Sequence, residues 1–298
     1  MSINGRTQRT GISRSDCRTI CFRGLVPRPI ADITAREMLA VLNKTVERGR
    51  IDTAARLRSD AGCVFRYAVV TGRTERDPTA DLEGALPSTK TQHRATLVEP
   101  SQVGELLRAI DAYSGTFVVR AAFKLAPLVF LRPGELVQAE WSEFDLDAGE
   151  WRILGERMKM NSRHIVPLAA QSIDILRELH PLTGSGRFVF PGVRNPSVHM
   201  SRESLRAALV RIGYGPDSDS PMTSHGFRGM ASTILHEQGW TSDVIERQLA
   251  HAERNKIKAA YNHAEHLPER RKMMQSWADY LDGLKKGGDV VPFKKRQA

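Results

Sequence analysis

Apolar residues recur every three to four positions through most of this chain, and the residues between the runs mark where helices start and stop. "ITAREMLAVLNKTVERG", from Ile33, opens with the Thr34 and Glu37 pair of a capping box and closes at Gly49. "DTAARLRSDAGCVFRYAVVTG" follows, with Leu57, Ala61, Val64 and Ala68 at helical spacing and Gly72 as terminator. Together they predict a small helical domain. Residues 85–100, "ALPSTKTQHRATLVEP", are polar and aperiodic and hold two prolines, which reads as a linker. Helices are then predicted from Pro100, through "TFVVRAAFKLAPLVF" with Pro127 as a kink, and briefly after Pro133. "EWRILGERMKMNSRHIVPL" breaks the habit: Trp151 and Ile153 alternate with polar neighbours, and Ile165 and Val166 lead into Pro167, so a β-hairpin is predicted. Further helices are predicted at 170–179, 201–212, 224–238, 242–250, 254–264 and 268–283, the last with Met273, Trp277 and Leu281 as a core stripe. The fold class is mainly α with a small β-sheet.

At 298 residues the chain can bury two modest cores, and 41% hydrophobic with 26% charged residues is ordinary for a globular protein. The charge balance is not ordinary. Lys+Arg 44 against Asp+Glu 34 leaves +10, with a pI near 9.8, so a polyanionic partner is the first expectation. Ribosome-associated proteins and membrane-surface binders share such a charge, so it selects a class of partner and no activity. Cys17, Cys21 and Cys63 are odd in number and lack paired zinc spacing, which predicts reduced thiols in a cytosol-like compartment. No apolar run approaches the length of a membrane span. Residues 1–24 carry Arg6, Arg9, Arg14, Arg18 and Arg23 against only Asp16, the composition of a transit peptide, but without an amphipathic face they read as a disordered basic arm.

Four stretches are more pointed than surface decoration requires. In "MTSHGFRGMASTIL", His225 and Arg228 stand three apart at a helix opening capped by Thr223 or Ser224, a natural anion site, and the small Gly229, Ala231 and Ser232 follow. "FLRPGEL" fixes the backbone of Arg132 just before a Pro-Gly helix start while its side chain can reach outward. "ERMKMNSRH" sets Lys159 near the hairpin tip. "LAHAERNKIKAAYNHA" sets His251 at the end of one helix and Tyr261 on the next, with Ala259 and Ala260 leaving room beside the phenol. Each has an ordinary structural explanation: a carbonyl cap, a solvated turn, a half-buried aromatic. Their joint occurrence in this order is a far sharper signal.

The order Arg, Lys, His-x-x-Arg, His, Tyr resembles the tyrosine recombinase, or phage integrase, family over roughly residues 25–285. "RMK" followed by "HIVPL", "HGFR", "LAH" and "AAYN" is similar to integrases of prophages and genomic islands. The resemblance implies a helical core-binding domain at 25–84, a linker at 85–99, a catalytic domain at 100–285 and a basic tail at 286–298, with the two domains closing around duplex DNA as a C-shaped clamp. The amino-terminal arm-binding domain and part of the core-binding domain are expected to be absent or replaced, because residues 1–24 do not resemble such a start.

The resemblance also implies a role for each residue. Tyr261 is the nucleophile of a 3′-phosphotyrosyl intermediate, and His225 takes its proton, since a phenol of pKa about 10 is protonated at neutral pH. Arg132 and Arg228 hold the non-bridging oxygens, Lys159 protonates the leaving 5′ oxygen with His164 as the second candidate, and His251 supports the phosphate or nucleophile. No cofactor and no metal are needed. The implied partners are double-stranded DNA attachment sites, three further copies in a homotetramer on DNA, and an accessory DNA-bending or directionality protein, with no membrane. The implied place of work is the cytoplasm of a bacterium, at its nucleoid.

Three other readings stand beside this one. Type IB topoisomerases use the same chemistry, although spacing and flanks favour recombination. A truncated integrase remnant would bind DNA without completing recombination. A metalloenzyme would draw on His225, His251, His263 and His266, but no nearby Cys or carboxylate completes the set, and "NHAEH" is more easily a solvated helical face.

Overall fold

The computed structural model describes residues 28–88, 95–158, 163–250 and 266–287. The basic arm expected at residues 1–24, the helix expected over 254–264 and the tail from residue 288 lie outside them. The chain forms two compact units, Met1–Gln92 and His93–Ala298.

The first unit is built on α1 (Ala35–Glu47) and α2 (Ile51–Val70). The capping box is present: Glu37 N donates to Thr34 Oγ1 at 3.3 Å, and Thr34 N donates to the Glu37 carboxylate at 3.0 Å. That reciprocal bonding satisfies two donors that a helix start leaves open. Met38 and Leu42 of α1 meet Leu57, Ala61 and Phe65 of α2, with Leu82 closing the cluster. Val64, expected on that face, is 50% exposed instead. It falls at the edge of the stripe centred on Ala61 and Ala68, and Phe65 takes the inward place.

The second unit holds α3 (Pro100–Asp111), α4 (Phe117–Val129), α5 (Pro133–Val137), strands β1 (Phe144–Asp145), β2 (Glu150–Ile153) and β3 (His164–Pro167), then α6 (Ala170–Thr183), α7 (Arg202–Arg211), α8 (Gly226–Glu237), α9 (Ser242–Gln248) and α10 (Leu267–Lys285). Helix α4 is buried from Ala121 to Val129 except at Lys124, so it is the axis around which the others pack. Helix α10 lies against α3 and α4 with Met273, Trp277 and Leu281 inward. Gly104 permits that approach, because a Cβ there would sit 2.6 Å from the Leu284 carbonyl oxygen.

The chain runs past Pro127 and turns at Phe130, whose φ of 37° is left-handed. Trp277 Nε1 donates to the Pro127 carbonyl at 2.9 Å, satisfying an acceptor that the helix end would otherwise leave open. The sheet is antiparallel in the order β1-β2-β3, with Trp151 opposite Val166 and Ile153 opposite His164. The sequence pattern shows only the hairpin. Strand β1 has two residues, too few for any alternation, and is held by Phe144 stacked on Trp151 at 4.7 Å. Helix α6 also runs on to Thr183, because Pro181 falls in its last turn, where the missing N–H matters little to what lies above it.

Candidate active site

Arg132 is the N-cap of α5, with Pro133 at the first helical position. Glu135, at the third, is 6% exposed, and its carboxylate accepts from Arg132 N at 3.1 Å and from Arg132 Nη1 at 2.7 Å. The interaction that starts the helix therefore also aims the guanidinium. The remaining arm, Arg132 Nη2, donates to the Ala250 carbonyl at 3.3 Å.

Arg228 lies in the first turn of α8 and is 4% exposed. Its Nη1 donates to the Phe130 carbonyl at 3.1 Å and its Nη2 to the Leu249 carbonyl at 2.6 Å. These carbonyls cap the ends of α4 and α9, where helix dipoles present partial negative charge, so a buried cation is compensated there. Burial, and then the charge of Arg132, push the Arg228 pKa down to about 10, which leaves it charged at neutral pH.

His225 is the N-cap residue of α8 and is half-buried. The N-cap falls one residue after Ser224 and two after Thr223, the predicted caps, yet Thr223 still does the capping: its Oγ1 accepts from Gly226 N at 2.9 Å. The small residues of this helix make room for the chain at Ala95 and Thr96. A Cβ on Gly226 would be 2.4 Å from the Ala95 carbonyl oxygen, and Thr96 Oγ1 donates to the Gly226 carbonyl at 2.8 Å.

Lys159 lies outside the described residues, but the base of its hairpin is fixed. Arg157 pairs with the buried Glu143 and donates from Nη2 to the Glu135 carbonyl at 3.0 Å. Glu135 thus ties the hairpin to the helix that carries Arg132. His251 and Tyr261 also lie outside the described residues. The residue before His251, Ala250, has a φ of 49° and is the one that Arg132 holds.

His164, the second candidate for proton donor, is buried, with Nε2 3.2 Å from the Gln248 carbonyl. Burial, and then the charge of Arg270, push its pKa down to about 3, so at neutral pH it is an uncharged ring bonded to backbone. That environment suits it to structure and not to protonating an alkoxide. The residues that sequence reading passed over are Glu135 and Arg157. Glu135 carried a signal, since an acidic residue three places after an N-cap, behind a Pro, is the capping-box position.

Among the described residues, no helix is long and apolar enough to cross a membrane, and no three His, Cys, Asp or Glu side chains are grouped as metal ligands.

This fold is that of the integrases. A λ integrase (75-356) dimer bound to a COC′ core site matches with a TM-score of 0.64 at 21% identity, over 84% of this chain and 90% of that one. A Tn1549 transposon integrase bound to transposon right end DNA matches with a TM-score of 0.60 at 14% identity, over 89% and 94%. The chain belongs to the phage integrase family: residues 97–267 match the phage integrase family model and residues 7–85 the phage integrase central domain. The second range takes in most of the basic stretch at the amino terminus as well as α1 and α2.

The Integrase of Enterobacteria phage P4 is 40% identical over 85% of this chain and 60% of its own length. Putative protein IntB of Escherichia coli (strain K12) is 39% identical over 88% and 69%, and Prophage integrase IntA of the same strain 34% identical over 88% and 62%. The chain therefore spans between 60% and 69% of the length of these relatives.

Proposed function

We propose that this chain is a site-specific DNA recombinase that cleaves and rejoins duplex DNA through a 3′-phosphotyrosyl intermediate, integrating or excising a mobile element. The observation that carries the reading is the convergence of Arg132 and Arg228 on adjacent carbonyls at Leu249 and Ala250, immediately before His251, with His225 on the same helical turn as Arg228.

In this reading residues 25–84 and 100–285 grip the duplex, and the two guanidiniums hold the non-bridging oxygens as charge builds on them. The Tyr261 oxygen attacks phosphorus and its proton passes to His225. The bond from phosphorus to the 5′ oxygen breaks, and that oxygen leaves as a hydroxyl with a proton from Lys159. His251 bonds the phosphate or steadies the nucleophile. The phosphotyrosine keeps the ester linkage, so a 5′ hydroxyl from a second strand reverses the step without ATP and without a metal.

Complete exchange joins two duplexes, which calls for four copies of the chain. The λ integrase tetramer bound to a Holliday junction, matched at a TM-score of 0.64 and 22% identity, has the corresponding architecture. The chromosome places this work in the cytoplasm, at the nucleoid, with room for an accessory DNA-bending or directionality protein.

An integrated element ends where its recombination sites lie, so nicked duplexes tiling the ends of the element that encodes this chain supply the probe. One of them is expected to give a covalent adduct on a denaturing gel, mapped by peptide sequencing to Tyr261 and abolished in Tyr261→Phe with binding kept within a few-fold. Adduct that persists in Tyr261→Phe overturns the assignment and directs attention to Tyr214 or Tyr280.

A further inference from the structure

Beside the arginine pair lies a second buried polar cluster that the proposed chemistry does not use. Gln248, the last residue of α9, is 0% exposed, Arg270 in the first turn of α10 is 1% exposed, and His164 at the start of β3 is 4% exposed. Arg270 donates to Gln248 Oε1 from Nε at 3.0 Å and from Nη2 at 2.7 Å, and Nη2 also reaches the Ile165 carbonyl. His164 Nε2 meets the Gln248 carbonyl at 3.2 Å, and because a carbonyl only accepts, that nitrogen carries the proton. A single guanidinium so joins the end of α9, the start of α10 and β3.

Gln248 and Arg270 stand on either side of the stretch 251–265, which contains both His251 and Tyr261. The chain leaves through Ala250 at a φ of 49° and returns through His266 at 48°. Left-handed conformations cost energy in residues with a Cβ and persist where the surroundings over-determine them. Among the described residues, only Phe130 is a third such case, and its carbonyl is held by Arg228. A buried arginine is also costly unless every contact is well made, and apolar packing would hold three elements together without it. What a planar fork adds is direction, fixing one element's angle against another.

We propose that His164, Gln248 and Arg270 are positioning residues for the nucleophile, setting where the Tyr261-bearing stretch leaves and rejoins the catalytic domain. The proposal rests on Tyr261 being that nucleophile. Misplacing a reacting atom by about 1 Å costs on the order of 10²-fold in rate, so the effect falls on attack and not on DNA affinity.

The test uses the full chain and the nicked duplex on which wild type forms adduct. Arg270→Met removes the fork. The double variant Gln248→Leu with Arg270→Met also removes the amide it would strand, so that the Ile165 carbonyl loses its Arg270 donor but no unpaired amide is left beside it, and thermal melting reports whether the fold is kept. Both are expected to form adduct on the order of 10²-fold more slowly with the duplex Kd within about threefold, and Arg270→Lys to recover part of the loss.

A free nucleophile supplies the decisive arm. In a Tyr261→Phe background, the anion of hydrogen peroxide attacks phosphorus, the bond to the 5′ oxygen breaks, and that oxygen leaves with a proton from Lys159. Peroxide is not delivered by the chain, so adding Arg270→Met is expected to leave this cleavage within about threefold. Adduct formation at the wild-type rate in the double variant overturns the proposal. So does peroxide cleavage that falls in step with adduct formation, because the cluster then merely holds the domain together. Wild-type adduct on a residue other than Tyr261 removes the underlying reading and this one with it.

Discussion

Arg132 and Arg228 donate to the carbonyls of consecutive residues, Arg228 to Leu249 at 2.6 Å and Arg132 to Ala250 at 3.3 Å. The two cations are close enough that Arg132 lowers the pKa of Arg228, second only to burial. Like charges held together on one site store repulsion that an anion relieves. The carbonyls occupy the direction in which both forks point, and they belong to the chain that leads directly into His251.

Replacing either arginine by lysine is therefore expected to slow covalent adduct formation by on the order of 10²-fold or more while DNA binding changes little, since a point charge cannot make two directed bonds to one phosphate. Single-turnover cleavage and fluorescence anisotropy on the same duplex measure the two quantities. Near wild-type cleavage by Arg132→Lys or Arg228→Lys rules out the paired clamp.

Glu135 aims Arg132 through two bonds and also starts α5. Glu135→Gln keeps the size and one acceptor, so a loss of roughly 1–2 kcal/mol in stability is expected from the weakened charge-assisted pair. The larger effect is expected on cleavage, because Arg132 is left without its fixed partner. Urea unfolding read beside adduct kinetics separates the two, and cleavage that falls no further than stability accounts for would reduce Glu135 to a helix cap.

Much of this was readable in the sequence because the strongest signals were local. The Thr34 and Glu37 box, the Met273, Trp277 and Leu281 stripe and the alternation at Trp151 each depend on residues a few places apart. Arg132 and His225 with Arg228 stood out because each marks the start of a helix. What the pattern concealed is what Arg228 touches: Phe130 and Leu249 lie 98 and 21 residues away in sequence. The two-residue strand β1 and the outward turn of Val64 were hidden for a related reason, since tertiary packing decides them.

His164 ties stability to pH. Its folded pKa of about 3 lies below the ordinary 6.5, so the unfolded chain takes up a proton that the folded chain refuses. The stabilisation is complete above pH 6.5 and is lost as pH falls toward 3. The slope reaches at most about 1.4 kcal/mol per pH unit, enough for about 2 kcal/mol between the middle and the acid side of that window. Melting curves of wild type and His164→Gln over this range are expected to converge as pH falls, and parallel curves would show that the ring is charged or exposed in the folded protein.

Trp277 offers a test of the core without touching the site. Its indole donates to the Pro127 carbonyl and its ring meets Phe130 edge-on at 6.1 Å. Trp277→Phe strands that buried acceptor and leaves a void, so a loss of roughly 2–4 kcal/mol is expected. Phe130 also gives Arg228 its carbonyl, and cleavage by the folded fraction is expected to fall several-fold as the left-handed turn relaxes. Denaturation and active-site titration on one preparation check both, and unchanged specific activity of the folded fraction would uncouple the helix end from the arginine.

The last prediction concerns what holds DNA and what does not. A chain with +10 formal charge that grips phosphates releases one counterion per neutralised contact, so log K against log salt is expected to fall with a slope of about −0.9 for each. Removing one phosphate contact, as Arg132→Ala does in the proposed reading, is expected to make that slope shallower by about 1 and to weaken binding alike on related and unrelated duplexes. In the proposed reading the chemistry draws its charge from arginine, histidine and lysine, so adduct formation is expected to proceed unchanged in EDTA. The two halves of this experiment separate binding from catalysis: salt is varied with chelator present, and a divalent ion is then restored at constant ionic strength. Adduct formation that stops in EDTA and resumes with the ion would refute the metal-free scheme, whereas loss of binding alone on raising salt is what phosphate contacts by Lys and Arg require.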